Sequence, residues 1–153
     1  MNQTGSTRKA VQSLLHDQQL GVLSTVGNDM PYANLVAFVA SGDNRYLYFV
    51  TPRATRKFAN LSANANVALL VNNSNNQPND FQLSAAVTAV GKATTVSAPA
   101  LAEIQKLYIA RHPYLEDFVR SPDCEMICIR VVRYILVERF QDVTEYRIDH
   151  AEE

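Results

Sequence analysis

The fold is decided by a stretch in the first half of the chain, residues 46–60, which read YLYFVTPRATRKFAN. Aromatic and aliphatic side chains alternate through residues 46–51, as they do in a β-strand. Pro52 then suits the first turn of a helix, with Thr51 as the residue that caps it. The stretch therefore predicts a strand, a tight turn and a helix in direct succession.

The turn in this stretch carries both cations and hydroxyl groups. Arg53, Arg56 and Lys57 have the spacing that places side chains on one face of a helix, and Thr51 and Thr55 add two hydroxyls beside them. A helix N-terminus also presents unpaired N–H groups and the positive end of the helix dipole. Because arginine and lysine both bind phosphate, the turn predicts a site for a phosphate monoester. The alternative is an ordinary helix start whose cations face solvent.

Composition narrows the class of protein. The chain has 153 residues, of which 47% are hydrophobic and 19% charged, and its net charge is −1. We expect one globular domain over residues 1–153. The chain has no basic stripe for nucleic acid and no apolar run that could span a membrane, and its polar N-terminus predicts a cytoplasmic protein. Cys124 and Cys128 suit reduced core thiols, and no metal site is expected.

The rest of the chain alternates between apolar strands and polar turns. Helical spacing of apolar residues predicts helices at residues 4–18 and 98–111, in addition to the short helix after Thr51. Strand patterns bounded by turn residues occupy residues 20–26, 31–40, 46–51, 66–71, 81–96 and 125–140. Gly27, Asn28 and Asp29 form a turn between the first two strands, and Gly91 marks a bulge in a later one.

Four short segments, in order, resemble one known family. They are Pro31-Tyr32, Val50-Thr51, Thr55-Arg56-Lys57 and Val90-Gly91-Lys92-Ala93. Together they are similar to motifs of the pyridoxamine 5'-phosphate oxidase-like family of FMN-binding split barrels, and the match runs from about residue 20 to residue 96. The predicted fold is therefore mainly β (α+β): a six- or seven-stranded antiparallel split β-barrel with two or three flanking helices.

The resemblance implies a cofactor site and a dimer. It places the FMN phosphate on the residues of the turn and the flavin ring against the backbone of the second strand. The implied cofactor-binding residues are Asn34, Leu35, Val36, Val50, Thr51, Thr55, Arg56 and Lys57. It also implies a homodimer with the cofactor at its interface, and a small-molecule substrate. A deazaflavin would present a similar phosphate and ring, so it is the alternative cofactor.

The chain also departs from the oxidase pattern. The oxidase has Arg, Lys and Gln where Asn34, Val39 and Ala86 stand, and its C-terminal Arg-x-His motif is missing. We therefore expect FMN to be held more loosely, and we do not expect pyridoxamine phosphate oxidase activity itself. Tyr108 and Arg111 resemble the residues that bind the oxidase substrate's phosphate, at a spacing one residue shorter. The alternative for Tyr108 is a tyrosine packed against the barrel.

Two functions follow from this reading. The first is an FMN-dependent oxidoreductase in which the flavin is the reactive group, since the sequence lacks a hydrolase triad, paired acids or a Gly-rich loop. The second is a non-catalytic flavin or haem carrier. Haem needs an axial ligand, and His112 and His150 are the histidines to consider. We expect His112 on the surface at a helix end and His150 near a loose terminus.

Overall fold

The computed structural model of the protein describes residues 3–151. Its strands are β1 (Leu20–Gly27), β2 (Met30–Ala40), β3 (Tyr46–Pro52), β4 (Asn66–Asn72), β5 (Ala85–Thr95), β6 (Cys124–Glu138) and β7 (Asp142–Arg147). Its helices are α1 (Gln3–Asp17), α2 (Arg56–Ala63), α3 (Asp80–Leu83), α4 (Leu101–Arg111) and α5 (Glu116–Arg120). The three longer helices are the predicted ones, whereas α3 and α5 are too short to show a helical period in the sequence.

The sheet is antiparallel and closes on itself. Its order is β3-β2-β1-β4-β5-β6-β7, and β3 also pairs with β6, so six strands form a closed barrel and β7 lies outside it on β6. The turn between β1 and β2 has positive φ at Asn28 (52°) and Asp29 (62°), the backbone that a two-residue hairpin requires. The predicted fold class, a mainly β split barrel, is confirmed.

Apolar residues form two cores, one on each side of the barrel wall. The inner core holds the alternating inward side chains of the strands, and Val11, Leu14 and Leu15 of α1 pack on it. The outer core lies where α4 and α5 cover β3 and β6, around Tyr108 and Val119. The alternation along each strand thus buries both wall faces in this region of the barrel.

The long strand β6 changes register opposite Gly91. Val90 pairs with Arg133 but Gly91 pairs with Val131, so Val132 is an extra residue on β6. The irregularity predicted at Gly91 is therefore present, but the extra residue lies on β6 and not on the strand that contains Gly91. The irregularity lets the first part of β6 pair with β3 and the last part pair with β7.

The barrel is split between β2 and β3. These strands pair only where Phe38, Val39 and Ala40 face Phe49, Tyr48 and Leu47, while the end of β3 continues along β6. Within the described residues, no strand pairs with the β3-facing edge of β2 over residues 30–37. This opening lies beside the turn that follows β3.

Candidate functional site

The turn after β3 begins the site, and its helix starts later than the sequence predicts. Pro52 is the last residue of β3, and α2 begins at Arg56. Thr55, with φ −109° and ψ 156°, is the N-cap, because its Oγ1 accepts a hydrogen bond from the Phe58 N–H at 3.3 Å. The prediction that Thr51 caps this helix was wrong, since β3 extends one residue further and a turn intervenes.

Two threonine hydroxyls fix the shape of this turn. Thr51 Oγ1 and Thr55 Oγ1 lie 2.9 Å apart, and both lie within 3.1 Å of the Pro52 carbonyl oxygen. Thr51 is fully buried, whereas Thr55 is half-buried at the rim. Thr51 therefore holds the turn from inside the protein, and Thr55 is the hydroxyl that reaches the rim.

Arg53 does not share a helix face with the other cations, and that prediction was wrong. Its guanidinium pairs with Glu125 at 2.9 Å and donates to the Pro122 carbonyl, while its N–H donates to the Asp123 carbonyl at 3.0 Å. Because all three partners precede or begin β6, Arg53 ties the turn to that strand. The anion site therefore has two cations at the helix start rather than three.

Arg56 and Lys57 remain at the helix start without acidic partners. Within residues 3–151 neither side chain has a carboxylate within 4.0 Å, and neither backbone N–H has a hydrogen-bond acceptor outside the helix. The Arg56 guanidinium lies 5.8 Å from the centre of the Tyr32 ring on β2, a cation–π distance. Partial burial lowers the pKa of Lys57, because it removes water from the ammonium group. We call Thr55, Arg56 and Lys57 the cationic turn.

Helix α2 is anchored against β1, which sets the position of the cationic turn. The Asn60 amide donates to the hydroxyl of the buried Thr25 at 3.1 Å. Gly27 lies directly beneath it: a Cβ at this position would come within 2.1 Å of Asn60 Oδ1. The missing side chain therefore allows α2 to approach the β1–β2 hairpin closely, and this brings Arg56 over Tyr32.

The predicted flavin strand forms the open edge of β2. Leu35 is 65% exposed and Val36 is buried, while the side-chain Oδ1 of Asn34 is buried without a hydrogen-bond partner. A buried acceptor without a donor costs about 1–3 kcal/mol, so Asn34 is suited to a ligand that brings an N–H group. Val50, also predicted at the site, is buried in the outer core on β3.

Tyr108 and Arg111 contact other elements and do not hydrogen-bond to the cationic turn. The Tyr108 hydroxyl donates to the Ala37 carbonyl at 2.9 Å, and burial raises its pKa to about 12. This geometry matches the alternative of a tyrosine packed on the barrel. Arg111 donates to the carbonyl of Gln18 at 2.6 Å and, less closely, to that of Leu15 at 3.5 Å. Their role toward a substrate stays a prediction.

The histidines lie differently from what the sequence predicts. His112 is 3% exposed, its Nε2 lies 2.7 Å from the Phe38 carbonyl oxygen, and its ring packs on Tyr108. The expectation of a surface histidine was wrong, because the end of α4 packs against β2. The i, i+4 spacing from Tyr108 was the available signal for a shared buried face. His150 Nε2 lies 2.7 Å from the Val131 carbonyl oxygen.

Two further features bear on the chemistry of the described residues. No three His, Cys, Asp or Glu side chains are grouped there as metal ligands, and Cys124 and Cys128 form no disulfide. Among the helices of residues 3–151, none combines the length and hydropathy needed to cross a membrane.

The family and the fold are shown by comparison with known proteins. The family model for pyridoxamine 5'-phosphate oxidase matches residues 7–138. The chain therefore belongs to the pyridoxamine 5'-phosphate oxidase-like family, with the split-barrel fold described above. No functionally curated protein matches the sequence.

Solved structures share the fold at low sequence identity. General stress protein 26 of Bacillus anthracis str. Sterne is 21% identical with a TM-score of 0.72, over 93% of this chain and 98% of that protein. An FAD-binding protein of Mesorhizobium loti is 14% identical with a TM-score of 0.68, over 84% and 90%. A haem-binding protein of Mycobacterium smegmatis is 16% identical with a TM-score of 0.80, over 89% of this chain and 55% of that protein, so the match spans about half of its length.

Proposed function

We propose that this protein is an FMN-binding flavoprotein that works as an oxidoreductase on a small molecule. The observation that carries the proposal is the cationic turn, where Arg56 and Lys57 lack acidic partners within the described residues and lie beside the open edge of β2. Two cations, a capping hydroxyl and unpaired helix N–H groups are the donor set that a phosphate monoester needs. Membership of the pyridoxamine 5'-phosphate oxidase-like family and the similarity in fold to an FAD-binding protein support a flavin as its carrier.

The residues of the proposed site have two roles: some bind the cofactor, and others hold the binding groups in position. Arg56 and Lys57 supply charge to the phosphate, and Thr55 supplies a hydroxyl and orients the first turn of α2. Asn34 offers its unsatisfied Oδ1 to an N–H donor of a ring placed along β2. Bound FMN supplies hydride or single-electron transfer, and the chain's own residues provide position and charge. No acid or base among the described residues is required in this scheme.

The proposed working form is a cytoplasmic homodimer with the cofactor at the interface between copies. The outer face of the β4-β1-β2 sheet supports this proposal. Leu70, Val22 and Leu35 lie side by side across three strands, and Leu35 and Leu20 are more than half exposed. A contiguous exposed apolar face beside an open ligand edge is a surface that a second copy can cover.

Haem is the second cofactor to test, because a haem-binding protein shares the fold. The histidines of this chain are poor candidates for the axial ligand of haem, and this favours a flavin. The Nε2 atoms of His112 and His150 already lie 2.7 Å from backbone carbonyl oxygens, and the His16 side chain is 85% exposed on α1. A deazaflavin would use the cationic turn in the same way as FMN. Absorption spectra of the protein with each cofactor distinguish these three.

The function is tested by comparing FMN with riboflavin, which lacks the phosphate. We expect FMN fluorescence to be quenched on binding, with riboflavin bound at least one hundredfold more weakly, because two charge-assisted contacts at about 1.5–3 kcal/mol each are lost. Reduction of the bound flavin by NAD(P)H or another donor then tests the oxidoreductase proposal. Equal affinities for FMN and riboflavin would overturn the phosphate site, and a Soret band with haem but no FMN binding would replace flavin by haem.

The affinity for FMN should also fall at alkaline pH, because Lys57 loses its charge there. Burial lowers the pKa of its ammonium from the ordinary value of 10.5, and only the charged form attracts phosphate. Affinity should therefore fall as pH rises through this lowered pKa, before pH 10.5 is reached. Fluorescence titrations across this range are compared with Lys57→Arg, whose guanidinium stays charged and should flatten the fall. Identical pH profiles would exclude Lys57, since ionisation of the flavin itself affects both proteins equally.

A further inference from the structure

A cavity of about 560 Å³ lies between α1, the β2–β3 turn and α4. Val39 and Ala40 at the end of β2 form part of its wall, whereas the cationic turn contacts Tyr32 near the start of that strand. We propose that this cavity binds a small monocarboxylic acid with a compact apolar body, held by Arg111 and Asn44. The proposal goes beyond the flavin function and does not depend on it.

Arg111 is the cation of the cavity. It is the last residue of α4, and within residues 3–151 no carboxylate lies within 4.0 Å of its guanidinium. Its Nη2 donates to the carbonyls of Leu15 and Gln18, but its Nε is buried without an acceptor. The two carbonyls carry only partial charge, so a positive charge at the cavity wall is left without a counter-ion.

Asn44 is the most buried of the polar side chains that line the cavity with Arg111, the others being Gln12, His16, Gln19 and Ser41. The residue is 7% exposed, and its side-chain amide makes no hydrogen bond to another described residue but keeps accessible surface. Its backbone is fixed on both sides: its N–H donates to the Ser41 carbonyl at 3.0 Å, and its carbonyl accepts from the Tyr134 hydroxyl at 2.7 Å. A rigidly held amide that is accessible at a cavity wall and is not used by the protein can donate a hydrogen bond to a ligand there.

The lining of the cavity selects the chemical class of the ligand. Leu15, Val39, Leu107 and the small side chains of Ala40 and Ala110 give it apolar walls. One guanidinium with side-chain amides around it matches a singly charged carboxylate, whereas a phosphate dianion calls for further cations. The other basic side chain of the lining, His16, lies 3.1 Å from the Asp17 carboxylate. A cavity of this size is within the ordinary range for small-molecule sites. Tyr108 takes no part, since its hydroxyl is already bonded to Ala37.

A purely structural role for Arg111 is the competing explanation. Its bonds to Leu15 and Gln18 hold α4 against the end of α1, and they need no ligand. That role does not account for the unpaired amide of Asn44, which contacts the same cavity from the β2–β3 turn. The test therefore changes Asn44 rather than Arg111, so that the contact between the helices is preserved.

The experiment titrates the full chain, as purified, with acetate, hexanoate, benzoate and 4-phenylbutyrate, followed by ¹H–¹⁵N NMR and calorimetry. We expect the larger acids to bind more tightly than acetate and to shift the amide signals of residues 39–44 and 107–111. Asn44→Asp keeps the shape and tolerates the positive φ of 61°, but it places a like charge against the carboxylate. This substitution should weaken benzoate binding by about tenfold or more. Benzamide, which has the shape of benzoate without its charge, should bind to the unchanged protein more weakly than benzoate by a similar factor.

A matched variant separates a local effect from a change in net charge. Asn28→Asp makes the same substitution at another positive-φ position, in the β1–β2 turn at the other end of β2, and should bind benzoate like the unchanged protein. The proposal is overturned if none of the acids shifts these signals at millimolar concentration. It is also overturned if benzamide binds as well as benzoate, or if Asn44→Asp leaves benzoate binding unchanged.

Discussion

Replacing both Arg56 and Lys57 by alanine should lower the affinity for FMN by two to three orders of magnitude or more and leave the fold intact. Each side chain contributes a charge-assisted contact to the phosphate, at about 1.5–3 kcal/mol per contact. Neither makes an ion pair with an acidic side chain within the described residues, so their removal leaves no buried charge behind. The Arg56 contact with Tyr32 is the packing that is lost, at a cost of about 0.5–1 kcal/mol.

Fluorescence titration measures the affinity, and a thermal unfolding curve of the same sample checks the fold. Lys106→Ala combined with Arg120→Ala is the matched control, because it removes two exposed cations from helices elsewhere on the surface. The control should bind FMN as the unchanged protein does. If the two double substitutions weaken FMN binding equally, the effect arises from long-range charge. If neither weakens it, the phosphate binds elsewhere.

Replacing Gly91 by alanine should destabilise the protein by about 3 kcal/mol, the upper part of the range for overpacking. A Cβ at this position would lie 2.3 Å from the Arg130 carbonyl oxygen and 2.9 Å from a methyl group of Ile129. The carbonyl belongs to β6 at the bulge, so relief requires movement of the strand that joins β3, β5 and β7. The φ of Gly91 is negative, so the cost arises from the contact and not from backbone conformation.

The free energy of unfolding, measured in urea, tests this prediction. Gly42→Ala is the control, since a Cβ there meets nothing within 4 Å and its φ is also negative. That change should be neutral or stabilise the protein by up to about 1 kcal/mol, because alanine restricts the unfolded chain. Equal effects of the two changes would show that β6 yields to the added methyl group, and that the bulge has no steric requirement for glycine.

The parts of the fold that are determined by residues close together in the sequence could be predicted. Asn28 and Asp29 specify a hairpin whatever lies further along the chain, and the positive φ at both confirms it. The strand-turn-helix succession around the cationic turn is local in the same sense. The start of α2 was misplaced because Thr51 and Thr55 are both good capping residues, and only the length of β3 decides between them.

The errors concern contacts between residues that are far apart in the sequence. Arg53 turns away from the site because Glu125, 72 residues later, lies beside it once β3 pairs with β6. His112 is buried because Phe38, 74 residues earlier, presents a carbonyl beneath the end of α4. The cavity that contains Asn44 was not predicted either, since its wall comes from three separate elements. Periodicity in one segment carries no information on such partners.

The unpaired edge of β2 also bears on how the protein behaves at high concentration. An edge that lacks a partner is a template on which a strand of another molecule can be added, the first step of aggregation. The chain limits this risk at both ends of the opening. Pro31 has no N–H to donate, and the Ala37 carbonyl is already occupied by the Tyr108 hydroxyl. Among the described residues, 32–36 remain unpaired on this edge, so whatever covers them also protects the protein from aggregation.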